Sequence, residues 1–142
     1  MAVTSIAGAD VIKPGDVAIK DGAIATSLTN AKGNPDAGKE AFIGRRLGNC
    51  LACHVNSDTS KEQFHGEVGP ALDGVASRYS EAELRAIIVN SKAVFGEGTI
   101  MPAFYKASGY YRAADKFEGK SILSAEQVED VVAYLMTLTD KP

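Results

Sequence analysis

Residues 50 to 54 read Cys-Leu-Ala-Cys-His, and the rest of the sequence is interpreted through them. Cys50 and Cys53 are the only cysteines of the chain. A disulfide between residues three positions apart would close a very small loop and would stabilise the fold little. A dithiol redox motif of this spacing is typical of a βαβ unit, whereas the flanking sequence here has a helical pattern. Both cysteine-pair interpretations are therefore weak.

Two metal-binding interpretations remain for this pentapeptide. A zinc site needs four ligands, and the soft donors are Cys50, Cys53, His54 and His65, of which Cys53 and His54 are adjacent and would have to converge on one ion. The other interpretation is a c-type haem, in which both thiols form thioethers with vinyl groups and the next histidine ligates the iron. The motif favours haem. Because three fixed positions also occur together by chance, the surrounding sequence has to decide between the two interpretations.

The composition limits the class of protein. The chain has 142 residues, 45% of them hydrophobic, which is enough for one domain with a modest core. Its formal net charge is -3, so nucleic acid is not an expected partner. Apolar stretches such as 131–138 are far shorter than the roughly 20 residues that cross a bilayer, so no membrane insertion is expected. Because a polar stretch follows Met1, we expect a mature form whose targeting peptide has been removed.

Helix-capping signals predict an all-α fold, and no convincing strand is found. Helices are expected to begin at Asn34, Ser80 and Ser124, and Glu83 and Gln127 complete the capping-box pattern after the two serines. The last of these helices carries an apolar stripe that must be buried, formed by Val128, Val131, Val132, Leu135, Met136 and Leu138. We expect residues 1–33 to form an N-terminal arm and residues 34–142 to form the helical domain.

A haem iron bound by His54 needs a ligand on its other face, and the candidates are His65, Met101, Met136 or a lysine. Met136 lies on the apolar face of the last predicted helix, where methionine usually fills the core. His65 follows His54 too closely to reach across the ring easily. Met101 lies in a loop where Pro102 holds the preceding residue extended. We therefore predict Met101 as the sixth ligand, and thioether ligation would raise the reduction potential.

Two further residues are candidates for contacts around the haem. Pro70 lies between the two proposed ligands, where its carbonyl could accept the Nδ1 hydrogen of His54 and fix the ring. A plain turn has the same spacing. Arg78 could pair with a haem propionate, although a solvated arginine near a helix start is about as common.

The motifs together resemble class I cytochromes c. Their order along the chain is that of the family, namely Gly38 and Phe42 in the first helix, then 50–54, 69–72, Met101-Pro102 and 133–135. More narrowly, segments 27–29, 48–54, 101–105, 122–124 and 129–135 resemble SoxX, the family of monohaem subunits of the SoxAX cytochromes of bacterial thiosulfate oxidation. This likeness spans about residues 27–138.

The resemblance implies a class I cytochrome c fold, one haem c joined through Cys50 and Cys53, and a function shared with a partner. SoxAX proteins oxidatively join thiosulfate to a cysteine of the carrier protein SoxYZ, and the sulfur chemistry takes place at a haem in SoxA. Both thiols of the present chain would be bound to haem, so no cysteine remains as a nucleophile. We therefore expect the electron-transfer subunit of a heterodimeric L-cysteine S-thiosulfotransferase, which passes electrons to a soluble cytochrome c.

The segments outside the generic cytochrome pattern are the expected contacts with the SoxA-type subunit. These are the arm, residues 1–33, and the loop after Met101 that contains Tyr110, Tyr111 and Arg112. Thioether attachment takes place outside the cytoplasm, so we expect a periplasmic protein. The alternatives are a freestanding electron shuttle, which a disordered arm would favour, and, less favoured, a haem-based sensor, which would need an open sixth position.

Overall fold

The computed structural model describes residues 10–109 and 114–140. Within these ranges four α-helices form, namely α1 (Pro35–Ile43), α2 (Val75–Arg78), α3 (Glu81–Phe95) and α4 (Ala125–Leu135). Short 3-10 turns lie at Pro14–Asp16, Cys50–Ala52, Ser57–Thr59 and Asp115–Phe117. Strand pairing in the described residues is limited to one isolated bridge between Lys20 and Ala23, which confirms the predicted all-α fold. None of the helices in these ranges has the length and apolar composition that crossing a membrane requires.

The three long helices begin where their capping signals predicted. The Asn34 side chain accepts hydrogen bonds from two backbone N–H groups in the first turn of α1. Ser80 and Glu83 form a reciprocal capping box at the start of α3, and Ser124 and Gln127 form the same arrangement at the start of α4. Each capping box satisfies two N–H groups that a helix end leaves without an internal partner.

Helices α1 and α4 cross in close contact, and small residues make this possible. A Cβ atom on Gly38 would lie 1.9 Å from the carbonyl oxygen of Asp130 on α4, so this position requires glycine. One turn further on, the Phe42 ring meets the Tyr134 ring edge to face, with the centroids 5.4 Å apart. Gly38 therefore admits the neighbouring helix, and Phe42 fills the core beside it.

The described part of the N-terminal arm, residues 10–33, is packed against the helices. Leu28 is completely buried and Ile24 is nearly so. The backbone N–H of Ile24 donates to the carbonyl of Ala82 in α3 at 2.9 Å, and Ile12 N–H donates to Leu28 at 2.9 Å. The arm thus folds back on itself and contributes side chains to the same core as α3 and α4.

Candidate haem site

The Cys-Leu-Ala-Cys-His segment begins with a 3-10 turn, Cys50–Ala52, which residues 44–49 connect to the end of α1. Asn49 precedes it in a left-handed conformation, with φ 49° and ψ 38°, which asparagine tolerates better than most residues. The carbonyl of Cys50 accepts hydrogen bonds from the backbone N–H groups of Cys53 and His54, at 3.1 and 3.0 Å. Both thiols and the imidazole therefore project from a single compact coil.

The imidazole of His54 is oriented by the 69–70 backbone. Its Nδ1 atom lies 2.7 Å from the carbonyl oxygen of Pro70, and because a carbonyl only accepts, Nδ1 carries the hydrogen. The lone pair of Nε2 is then available for a metal. A Cβ atom on Gly69 would lie 2.3 Å from Cε1 of His54, so the backbone there packs directly on the ring. The contact expected from the sequence between Pro70 and His54 is present.

The surroundings of Cys50 do not favour a thiolate. Withdrawal from water raises the pKa of the Cys50 thiol to about 12, and the nearby Cys53 contributes a smaller increase. Reactive or zinc-binding cysteines occupy environments that lower the thiol pKa instead. In addition, no group of three or more His, Cys, Asp or Glu side chains in the described ranges is arranged to hold a metal ion. The raised pKa of Cys50 thus counts against the zinc and dithiol interpretations, both of which use a thiolate.

The candidates for the opposite haem face differ in their surroundings. Met101 is partly buried and packs against the core from the loop after α3. Met136 also packs against the core, at the C-terminal end of α4, as expected for a core methionine. The Nε2 atom of His65 lies 2.9 Å from the Glu62 carbonyl and so donates within its own loop. The two methionines have similar surroundings, so the preference for Met101 rests on its loop position in the sequence, and its ligation remains a prediction.

Arg78 lies at the end of α2 and binds the turn that follows Pro70. Its guanidinium donates to the carbonyls of Ala71 at 2.8 Å and of Asp73 at 2.7 Å. The Asp73 carboxylate in turn accepts the backbone N–H of Ser57 at 3.1 Å. Arg78 therefore stabilises the 70–73 turn through these hydrogen bonds, and its pairing with a haem propionate stays a prediction.

Sequence reasoning missed one residue of the site, and part of the expected site cannot be placed. Ser91 donates to the carbonyl of Met101 at 2.6 Å, and the signal that could have found it is an Asn-Ser pair inside a helix, since both side chains compete for backbone hydrogen bonds. Tyr110, Tyr111 and Arg112 lie outside the described residues.

Comparisons with known proteins identify the family. A family model described as Cytochrome c matches residues 35–139. The chain belongs to the cytochrome c family. A chain in the crystal structure of SoxXA from P. pantotrophus is 45% identical, with a TM-score of 0.83, covering 90% of this chain and 98% of that one. The c-type cytochrome SorU from Sinorhizobium meliloti is 29% identical over 75% of this chain and 91% of its own, with a TM-score of 0.41. No curated protein sequence matches the chain.

The family assignment confirms three predictions made from the sequence. These are the class I cytochrome c fold, the resemblance to SoxX, and one covalent haem c as cofactor, which the spacing of Cys50 and Cys53 fits. When bound, the haem supplies a one-electron redox centre. The chain supplies two thiols for attachment, and an oriented imidazole and a loop thioether as the proposed ligands.

Proposed function

We propose that this cytochrome is the electron-transfer subunit of a SoxAX-type L-cysteine S-thiosulfotransferase. The observation that carries the proposal is its 45% identity, at a TM-score of 0.83, with a chain of SoxXA from P. pantotrophus over 98% of that chain. Because the cytochrome c family model begins only at residue 35, a likeness over 90% of the chain must also include much of the N-terminal arm. The arm is where a subunit would differ from a general electron carrier.

The chemistry of the reaction indicates what this subunit does. Joining thiosulfate to a cysteine thiol forms a sulfur–sulfur bond and releases one proton and two electrons. The only cysteines here, Cys50 and Cys53, lie in the haem motif, so bond formation belongs to a SoxA-type partner acting on the SoxYZ carrier. This chain accepts the electrons, singly, and passes them to a soluble cytochrome c in the periplasm.

The partner-facing surface includes the N-terminal arm in this proposal. The hydroxyl of Tyr105 donates to the carbonyl of Ile12 at 2.7 Å, so the arm lies against the segment that follows Met101. A SoxA-type subunit bound to the arm would therefore also lie near the loop that carries the proposed ligand. Short separation between two haems is what electron transfer between subunits requires.

The partner assignment is tested by recovering the tagged protein from the periplasm of thiosulfate-grown cells and identifying what accompanies it by mass spectrometry. A stoichiometric second cytochrome with a reactive cysteine is expected. Recovery of the chain alone would favour a freestanding shuttle. Replacing Tyr110 and Tyr111 by alanine should weaken the association, whereas replacing Phe95, an exposed aromatic at the end of α3, should not.

A further inference from the structure

Helix α3 is interrupted at Asn90, near its C-terminal end. This residue has φ −154° and ψ 86°, far from helical values, although the helix continues on both sides. The carbonyls just before the break accept hydrogen bonds from residues 104 and 105. These residues follow the loop that carries Met101 after the end of α3, here called the Met101 loop. Ile88 accepts from the N–H of Phe104 at 3.1 Å, and Val89 accepts from the N–H of Tyr105 at 3.2 Å. No proline is present in α3, so the break has another cause.

The side chain of Asn90 supports the break. Its Oδ1 atom accepts the backbone N–H of Ala93 at 3.3 Å, the contact that an N-cap makes to the third residue of a helix. Asn90 thus ends one helical segment and begins the next. This arrangement directs Ser91, the first residue of the second segment, toward the loop.

The second segment binds the backbone of the loop that carries Met101. Ser91 is completely buried, and its hydroxyl donates to the carbonyl of Met101 at 2.6 Å, with the carbonyl of Pro102 3.3 Å away. The ammonium group of Lys92 donates to the carbonyl of Thr99. The backbone of the loop is therefore fixed to the helix at the methionine itself and two residues before it.

We propose that the break at Asn90 and the buried hydroxyl of Ser91 position Met101 for ligation of the haem iron. The inference rests on the proposed ligand role of Met101. A neutral thioether is readily displaced from iron when its loop can move away, and a fixed loop loses less conformational freedom when the ligand binds. Ser91 and Asn90 act through the loop backbone and are positioning residues.

Competition by an external ligand tests this role. Imidazole titrated into the ferric holoprotein displaces the methionine, and loss of the methionine-to-iron charge-transfer band reports the displacement. Ser91→Ala should bind imidazole roughly five- to tenfold more tightly than the wild type, the effect of one buried hydrogen bond. Asn90→Ala should change the affinity in the same direction.

The matched control is Thr59→Val, which also removes a buried hydroxyl bound to a carbonyl, that of Asn56 at 3.0 Å, in a turn outside the Met101 loop. Its imidazole affinity should stay within about twofold of wild type, the scatter expected where no loop contact is lost. Equal affinities for Ser91→Ala and wild type would overturn the proposal. A wild-type protein without the charge-transfer band would overturn it together with the ligand assignment. Neither result bears on the partner, which is tested by copurification.

Discussion

Arg85 on α3 and Glu129 on α4 form a buried, two-point ion pair. Nε and one terminal nitrogen of the guanidinium lie 2.8 and 3.0 Å from the two carboxylate oxygens, and the residues are only 3% and 2% exposed. The same pair binds the N-terminal arm, because Leu28 N–H donates to Glu129 and Arg85 donates to the carbonyl of Ile24. One ion pair therefore joins α3, α4 and the arm.

Breaking this pair should destabilise the protein strongly. In Arg85→Met the Glu129 carboxylate stays buried without its counter-charge, a change that typically costs about 3–5 kcal/mol. Denaturant unfolding of the holoprotein measures the difference. Lys39→Ala is the control. It removes an ion pair between Lys39 and Asp58, whose side chains are 39% and 47% exposed respectively, and should lower the free energy of unfolding by less than about 1 kcal/mol. Equal losses in the two variants would contradict a structural role for the buried pair.

Gly69→Ala should disturb the proposed ligation of the iron by His54. The added Cβ would lie 2.3 Å from the imidazole, so the ring or the 69–70 backbone must move and the hydrogen bond to Pro70 is strained. We expect a shifted reduction potential and an altered ferric spectrum. Gly15→Ala introduces a Cβ with no atom within 4 Å and should leave both unchanged. An unaltered potential in Gly69→Ala would mean that the imidazole position does not matter to the haem.

Met101→Leu should convert a low-spin ferric spectrum to a high-spin one, because it removes the thioether while nearly preserving side-chain volume. Absorption and electron paramagnetic resonance spectra of the ferric protein measure the change. Met136→Leu makes the same chemical change at the end of α4 and should leave the spin state as it is. A low-spin spectrum in Met101→Leu would assign the sixth ligand to another residue.

Tyr134→Phe should reduce stability and also change its dependence on pH. The Tyr134 hydroxyl accepts from Asn56 and donates to Asp58, each at 2.8 Å, so its loss leaves the buried Asn56 amide unpaired at a cost of about 1–3 kcal/mol. Burial, with a further contribution from Asp58, raises the pKa of Tyr134 above its usual 10.

The sign of the pH effect follows from this shift. The folded state binds the phenolic proton more tightly than the unfolded state does, so stability falls as pH rises above about 10. Tyr134→Phe removes this contribution, and its stability should depend less on pH in that range. Unfolding free energies measured from neutral to strongly alkaline pH give the comparison. Parallel curves for the variant and the wild type would show that Tyr134 does not titrate differently in the two states.

Features of this fold that depend on nearby residues could be predicted from the sequence. The capping boxes at Ser80 and Ser124 and the cap at Asn34 each involve residues within three positions of each other, so their signals are local. The attachment motif is also contiguous. The contact between Pro70 and His54 spans 16 residues, and the sequence could only suggest it, because a plain turn without a haem has the same spacing.

Features that depend on distant residues were not predictable in this way. Arg85 and Glu129 are separated by 44 residues, and neither carries a local signal that it will be buried. The break at Asn90 depends on Phe104 and Tyr105, which satisfy the carbonyls before it only once the chain has folded back. Tertiary contacts there override an otherwise regular helical pattern.

We propose that this cytochrome receives electrons from thiosulfate oxidation through a SoxA-type subunit. The most direct measurement follows the ferric haem signal of this chain after thiosulfate and SoxYZ are added to the purified complex. We predict that the signal disappears as the haem is reduced, and that it persists when the SoxA-type subunit is omitted. A signal that persists with all components present, or that disappears without the partner, would contradict the account.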